Sequence, residues 1–133
     1  MRPHDEIVRE LLSQWLDKAA RDLKLTRHLV SAGEYNEAVC FHAQQAAEKY
    51  IKAFLVHHQV EFPKTHDIEE LLDLVETRDQ NLAQSLRHTA VLSAYGVEIR
   101  YPGDLPEITD AEAEKAVALA GRVGDSILEA LKK

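Results

Sequence analysis

The sequence predicts an all-α fold, an antiparallel four-helix up-and-down bundle with one additional short helix. Three observations favour this fold. Apolar residues recur at helical spacing along nearly the whole chain, and no run of β-branched residues alternates as it would in a strand. Only 5 glycines and 4 prolines interrupt the 133 residues. The connections between periodic segments are mostly short, which is typical of sequential helices that pack antiparallel. We expect one domain over residues 1–133.

The first two predicted helices span Asp5–Val30 and Asn36–His58. The inward face of the first helix is marked by apolar residues at steps of three and four, as helical geometry requires. Gly33 predicts the end of this helix, because glycine adopts the left-handed C-terminal conformation without strain. The inward positions are Leu12, Leu16, Ala19, Leu23, Thr26 and Val30.

Capping signals define two of the remaining helices. We expect Asp67 to cap the third helix, with Glu70 three residues later reaching back to the cap. A Thr-x-x-Glu capping box, Thr109 and Glu112, predicts the start of the last helix. The three helices span Ile68–Glu76, Gln80–Ile99 and the segment that starts after Thr109 and runs to the C-terminus.

Composition and charge narrow the class of protein. The net charge is −7, and an acidic chain is a poor non-specific binder of nucleic acid, since phosphate contacts need lysine and arginine. Any nucleotide site must therefore come from a local basic cluster. The single cysteine, Cys40, cannot form an internal disulfide, which fits a reducing compartment. No apolar run approaches the roughly 18 residues of a membrane span, so we expect a soluble cytoplasmic protein.

The second helix has an unusually wide apolar face of about 200°. It is either the central helix of the bundle or a central helix that also meets a second subunit, with Phe41 and Gln45 at the seam. Gln44 falls inside the apolar arc and then needs a buried hydrogen-bond partner. Glu48 and Lys52 form an i,i+4 pair within the polar strip. The arc contains Ala43, Ala46, Ala47, Tyr50, Ile51, Ala53, Phe54 and Leu55, and the strip contains Gln45, Glu48, Lys49 and Lys52.

The predicted inward stripe of the fourth helix ends on an arginine, Arg100. Its guanidinium either bonds the last carbonyls of the helix or points into a cleft and binds a phosphate or nucleotide. Asp104 could pair with Arg100, and Tyr101 could stack on a base. The stripe consists of Leu82, Leu86, Ala90, Ser93, Val97 and Arg100.

The sequence offers little for a metal or a cofactor. None of the seven histidines shares a helix with another at a spacing of three or four residues, and phosphate-binding glycine-rich loops are absent. His66 and Glu70 are spaced to bind a metal weakly, yet a histidine near a helix start is more often a hydrogen-bonding residue. We expect no metal and no cofactor.

Four segments together resemble the HEPN domain family, in family order and over nearly the whole chain. They are Trp15–Leu23, the second-helix segment Phe41–Leu55, Lys64–Ile68 and Tyr95–Asp104. The resemblance implies a single HEPN domain, residues 1–133, and a helical bundle that commonly dimerises. It also implies proposed nucleotide binding and, for small prokaryotic members, a minimal nucleotidyltransferase partner in a toxin–antitoxin pair.

Many HEPN proteins are metal-independent RNases with an Arg-x(4–6)-His motif near the dimer seam. Arg100 matches the arginine of that motif, but positions 105–107 are Leu105, Pro106 and Glu107, so the expected histidine is missing. The chain resembles the Arg-Tyr-Pro branch of the family, in which nucleotide or partner binding is the safer expectation.

Three functions therefore remain open. The first is a homodimeric module that binds a nucleotide or a nucleotidyltransferase. The second is an RNase that uses Arg100 with a displaced histidine, His66 or His88, and the third is a non-catalytic oligomeric scaffold. The candidate ligand-binding residues are Glu48, Lys49, Lys52, His66, Arg100, Tyr101 and Asp104.

Overall fold

The computed structural model describes residues 3–97 and 107–133, and all regular secondary structure in those ranges is helical. The all-α fold and its bundle architecture are thereby confirmed. The elements are α1 (Pro3–Val30), α2 (Asn36–His57), α3 (Ile68–Glu76), α4 (Gln80–Leu86), a 3₁₀ helix (Arg87–Ser93), α5 (Ala94–Val97) and α6 (Asp110–Leu131).

Helix α2 is the centre of the bundle, and it packs against α1, α3, α5 and α6. Every residue of the predicted apolar arc is buried, so the wide arc does mark a helix that is covered on several sides. α1 runs antiparallel to α2, since Asp22 lies beside Lys49 whereas His4 bonds Gln59 beyond the far end of α2. The same packing buries Cys40 completely.

The predicted continuous fourth helix is wrong, because α4 gives way to a 3₁₀ helix after Leu86 and the chain then forms the short α5. The buried positions here are Leu86, Thr89 and Leu92, at the three-residue spacing of a 3₁₀ helix. Ala90, predicted inward on an α-helical period, is only partly buried. The Thr89 hydroxyl donates to the Leu86 carbonyl at 2.6 Å, a local bond typical of a distorted helix. Ile99, the predicted end, lies outside the described residues.

The predicted helix termini are largely confirmed, with two corrections. Gly33 has a φ of +68°, and the side chains of Asp67 and Thr109 cap α3 and α6. Glu70 does not reach back to its cap, since it accepts a hydrogen bond from Thr65. The Glu112 carboxylate is engaged as well: it accepts a hydrogen bond from the hydroxyl of Tyr95, which ties α6 to α5.

No helix within residues 3–97 and 107–133 has an apolar stretch that is long enough to cross a lipid bilayer.

Candidate functional site

Four polar side chains form a connected cluster along α2 and the loop before α3. We call it the α2 polar cluster: Gln44, Glu48, Lys52 and His66. Lys52 Nζ lies 2.8 Å from Glu48 Oε2, and the two side chains are 8% and 5% exposed. His66 Nδ1 lies 2.9 Å from the other carboxylate oxygen, Oε1. The structure therefore brings together three predicted site residues, with Lys52 and His66 on the two oxygens of the buried Glu48 carboxylate.

Gln44 has the buried partners that its position in the apolar arc requires. Its Nε2 donates to Glu48 Oε1 at 2.9 Å and to the His66 carbonyl at 3.1 Å, and its Oε1 accepts from Gln45 at 2.8 Å. Gly96 of α5 packs directly on this amide, and a Cβ added there would lie 2.8 Å from Gln44 Cδ. The glycine therefore allows α5 to approach the cluster.

Two aromatic rings cover the charged end of Lys52. Its Nζ lies 5.6 Å from the centroid of the Trp15 ring and 5.6 Å from that of Phe62. The two rings meet edge to face, with centroids 6.2 Å apart. An ammonium group is attracted to aromatic faces, so this cover partly offsets the cost of removing Lys52 from water. Lys52 is thus held inside the fold, where it is not available to an incoming ligand.

The Glu48 carboxylate is held in its charged form. Burial alone would raise the pKa of Glu48, but hydrogen bonds from Lys52, Gln44 and His66, together with the Lys52 charge, outweigh burial and lower the pKa below its ordinary value. A charged carboxylate at Nδ1 of His66 favours a proton on that nitrogen and leaves Nε2 for other partners.

His66 connects this buried network to the surface. Its side chain is 52% exposed, and it lines a groove of about 310 Å³ together with Lys64, Thr65, Asp67 and Ser93. The groove is bounded by the start of α3, where the Ile68 backbone N–H donates to Ser93 Oγ at 2.8 Å. An imidazole oriented from behind by a buried carboxylate can accept a proton at Nε2 in this groove, and the imidazolium that results can donate to an anion.

The other predicted site residues are not part of the α2 polar cluster. Lys49 pairs with Asp22 at 2.5 Å, and the same carboxylate contacts His42 at 3.0 Å. His88 is exposed and contacts none of the cluster residues. The remaining predicted ligand-binding residues, Arg100, Tyr101 and Asp104, lie outside the described residues.

The predicted dimer-seam residues lie on the outer part of α2. Phe41 is 40% exposed and packs edge to face on His42, with ring centroids 5.2 Å apart. Both residues line a groove of about 290 Å³ that also includes Tyr95 and Ile108. Gln45 is partly buried and bonds Gln44.

Sequence reasoning missed three residues that shape these sites. Asp22 was not singled out, although it is the partner of Lys49 and His42. Trp15 and Phe62 were not connected with Lys52, because they lie 37 and 10 positions away in the chain. One signal in the sequence could have identified Asp22: it is an acidic residue on the side of α1 that faces α2, the helix that carries Lys49. Within residues 3–97 and 107–133, no group of three or more histidine, cysteine or acidic side chains could hold a metal ion.

Two solved structures are similar to this chain over most of its length. TT1696 from Thermus thermophilus is 31% identical, with a TM-score of 0.70, and the match covers 89% of this chain and 96% of TT1696. ST0689, described as an archaeal HEPN homologue, is 26% identical, with a TM-score of 0.69 and coverages of 89% and 95%. No curated protein matches the sequence.

The family comparison agrees with both structures. A family model described as the HEPN domain matches residues 12–131. That range includes all of α2 to α6 and most of α1, and hence the whole α2 polar cluster. The chain belongs to the HEPN domain family.

Proposed function

We propose that this chain is a nucleotide-binding module whose site is the groove at the start of α3. The observation that carries the proposal is His66, which is half-exposed in that groove while the buried Glu48 carboxylate holds its Nδ1. Lys64 lies beside it on the groove wall. A phosphate group bound there would accept hydrogen bonds from the Lys64 ammonium group and, when the His66 ring carries a proton on both nitrogens, from Nε2 of the imidazolium.

The charges of the described residues refine the predicted set of ligand contacts. Lys52 is neutralised by Glu48, and Lys49 is neutralised by Asp22, so neither ammonium group supports direct phosphate binding. Glu48 and Lys52 instead support an orienting role behind His66. Arg100 remains the proposed second cation, and it follows Gly96, which packs on Gln44, by four positions in the sequence.

Nucleotide titration of the full chain tests this assignment. We expect ADP or AMP to bind the wild type, and His66→Ala and Arg100→Ala each to weaken binding by about tenfold. His88→Ala is the matched control, because His88 is exposed and is not in contact with the α2 polar cluster. Unchanged affinity in both His66→Ala and Arg100→Ala would show that the site is elsewhere.

A protein partner is part of the same proposal. Family resemblance supports a homodimer that associates with a minimal nucleotidyltransferase in a toxin–antitoxin pair. The exposed ring of Phe41 and the adjoining groove supply an apolar surface of the kind that interfaces use. Co-expression with a minimal nucleotidyltransferase of the same genome, followed by co-purification, tests the association. Separate elution of the two proteins would contradict the proposed association.

A second candidate function, a metal-independent RNase, is favoured by one observation. The Glu48–His66 pair has the geometry of a carboxylate that orients a general acid or base, whereas His88 contacts no such carboxylate. This difference supports His66 over His88 as the displaced catalytic residue of such an RNase. In this mechanism Arg100 would stabilise the phosphate and the ribose 2′-hydroxyl would attack it.

An RNA cleavage assay in the presence of a chelator tests this candidate. Cleavage should leave a 2′,3′-cyclic phosphate and be lost in both Arg100→Ala and His66→Ala, but persist in His88→Ala. Products ending in a 3′-hydroxyl, or equal cleavage by all the variants, would exclude the mechanism. The absence of cleavage and of any bound ligand, together with a stable oligomer, would favour a scaffold.

A further inference from the structure

A second groove lies between α1 and α6, apart from the α2 polar cluster. Its volume is about 400 Å³, and its polar lining consists of Arg27 from α1 and Arg122, Asp125 and Ser126 from α6. Gly121 lines it between the two arginines. This lining carries two cations and one carboxylate, in a chain whose net charge is −7. The groove is therefore locally electropositive.

Two glycines of α6, one helical turn apart, let other side chains reach the groove. A Cβ added at Gly121 would lie 3.1 Å from Arg27 Nη2, so the missing side chain lets the guanidinium lie against the helix. A Cβ added at Gly124 would lie 2.9 Å from Cε2 of Tyr50. Gly124 therefore makes room for the outer half of the tyrosine ring.

Tyr50 lies next to the groove, where its ring packs on Gly124 of α6. The residue is 4% exposed, and its hydroxyl forms no hydrogen bond with any residue in 3–97 or 107–133. Because no buried side-chain oxygen or nitrogen in those ranges lacks a hydrogen-bond partner, this hydroxyl is the part of Tyr50 that reaches solvent. Burial raises the pKa of this hydroxyl, the Arg27 charge lowers it and the Asp125 charge raises it. Arg27 and Asp125 both line the groove, so the Tyr50 hydroxyl lies within reach of the charges of the lining, and the neutral phenol is a hydrogen-bond donor at neutral pH. A hydroxyl that reaches solvent beside two guanidinium groups can donate to an anion bound between them.

The guanidinium groups of Arg27 and Arg122 are also available to a ligand. No carboxylate of the described part of the chain lies within ion-pair distance, 4.0 Å, of the guanidinium of Arg27 or Arg122. This differs from Arg87, which contacts three carboxylates, and from Lys49 and Lys52, which each contact one. Guanidinium groups bind phosphate oxygens in a bidentate geometry, and Tyr50 supplies one further donor.

We infer that this groove binds the phosphate group of a small phosphorylated molecule, held by Arg27, Arg122 and the hydroxyl of Tyr50. Ser126 adds a donor at the rim, and Asp125 can accept a hydrogen bond from a hydroxyl of the same ligand. This site is separate from the groove beside His66, so either site can exist without the other.

Calorimetric titration of the full chain with inorganic pyrophosphate, and separately with ADP, tests the inference. Arg27→Gln and Arg122→Gln should each weaken binding by about tenfold, and Tyr50→Phe by about threefold or more. The matched control is Arg9→Gln, which removes the same charge from an exposed site near the N-terminal end of α1 and should change affinity by less than about twofold. Equal binding of both probes means that phosphate alone is recognised, and tighter binding of ADP means that the nucleoside adds contacts. Both outcomes support the site.

Three results would overturn the inference. The first is no binding of either probe at millimolar concentration. The second is equal weakening by Arg9→Gln and by the groove variants, which would indicate non-specific attraction to any positive charge. The third is loss of binding in His66→Ala with none in the arginine variants, which would assign the phosphate to the other groove. Thermal melting shows whether Tyr50→Phe folds, and the arginine variants test the site independently of it.

Discussion

Lys52 Nζ lies 2.8 Å from Oε2 of Glu48, one turn away on α2, and both side chains are more than nine-tenths buried. Such a pair stabilises an exposed helix by only a few tenths of a kcal/mol. Here the environment is different, since neither charge can return to water when its partner is removed. The remaining carboxylate oxygen is bonded by Gln44 and His66, so the network is satisfied in the folded protein.

Removal of the Glu48 charge should therefore destabilise the fold. Glu48→Gln leaves the Lys52 ammonium buried without its partner, and we expect the free energy of unfolding to fall by about 3 kcal/mol at pH 7. Urea denaturation followed by circular dichroism measures the difference. Lys49→Gln is a suitable control, because Lys49 is more exposed and should cost less than about 1 kcal/mol.

The effect of Glu48→Gln should depend on pH with a defined sign. The pKa of Glu48 is lower in the folded than in the unfolded chain, so its charge stabilises the fold fully above the ordinary value of 4.5. That stabilisation is lost as the pH falls through the folded pKa. Wild type and variant should thus begin to converge in stability once the pH falls below 4.5. A difference that stays constant from pH 7 to pH 3 would contradict the lowered pKa.

Gly96→Ala should destabilise the contact between α5 and α2. The new Cβ would lie 2.8 Å from Gln44 Cδ, and Gln44 is held by its hydrogen bonds, so we expect a loss of about 1–3 kcal/mol. The control is Gly121→Ala, where the nearest atom is the flexible end of Arg27 and the gain in helix propensity is up to about 1 kcal/mol. Equal melting temperatures for the two variants would mean that Gln44 can move aside.

Arg87 should stabilise α3 through electrostatics. Its guanidinium contacts Glu69, Asp73 and Glu76 at 2.6, 2.8 and 3.3 Å, and these carboxylates raise its pKa against the effect of burial. Arg87→Ala leaves the three carboxylates to repel one another, so we expect a loss of about 1–2 kcal/mol at low salt.

Salt dependence distinguishes this network from simple packing. The loss in Arg87→Ala should shrink in 1 M NaCl, because the carboxylate repulsion is screened, whereas a packing defect would persist. Arg78→Ala is the matched control at the C-terminal end of α3, where the side chain is exposed. Denaturant titrations of wild type and both variants, at low salt and in 1 M NaCl, give the loss in the free energy of unfolding for each variant at each salt concentration. The same loss at low and high salt would contradict an electrostatic role.

Phe41→Glu should weaken self-association without unfolding the protomer. Phe41 is 40% exposed, so a charge there costs little in the monomer but disrupts an apolar interface, and we expect at least about tenfold weaker dimerisation. Val91→Glu is the control, since Val91 is 60% exposed at another position. Analytical ultracentrifugation measures the association. A monomeric wild type, or an unchanged dimer in Phe41→Glu, would refute the predicted seam.

Local sequence was sufficient for most of the fold. The limits of α1, α2, α3 and α6 differ from prediction by no more than two residues, because periodic apolar stripes and caps such as Asp67 and Thr109 act within a few positions of the residues they order. Helical spacing also placed Gln44 inside the apolar arc of α2, which predicted that its side chain needs a buried hydrogen-bond partner.

Tertiary contacts decided what the local pattern could not. The predicted fourth helix ends early, at Leu86, and the segment that follows it contacts other elements: Ser93 accepts from the Ile68 backbone and Gly96 packs on Gln44. Neither contact is visible in the fourth segment alone. Glu48 and Lys52 have the spacing of a solvated pair, but Trp15 and Phe62 come from other segments to cover them.

Residue type and helical spacing were enough to predict the family, the helical class and the residues of α2 that face inward. Which charges are neutralised depends on how the helices pack in three dimensions. The tertiary structure paired Glu48 with His66 across 18 residues and Lys49 with Asp22 across 27, and it left Arg27 and Arg122 facing one groove without a carboxylate partner among the described residues. These pairings could not be predicted from the sequence, because the strength of a charge interaction depends on distance and burial, and both are properties of the folded chain.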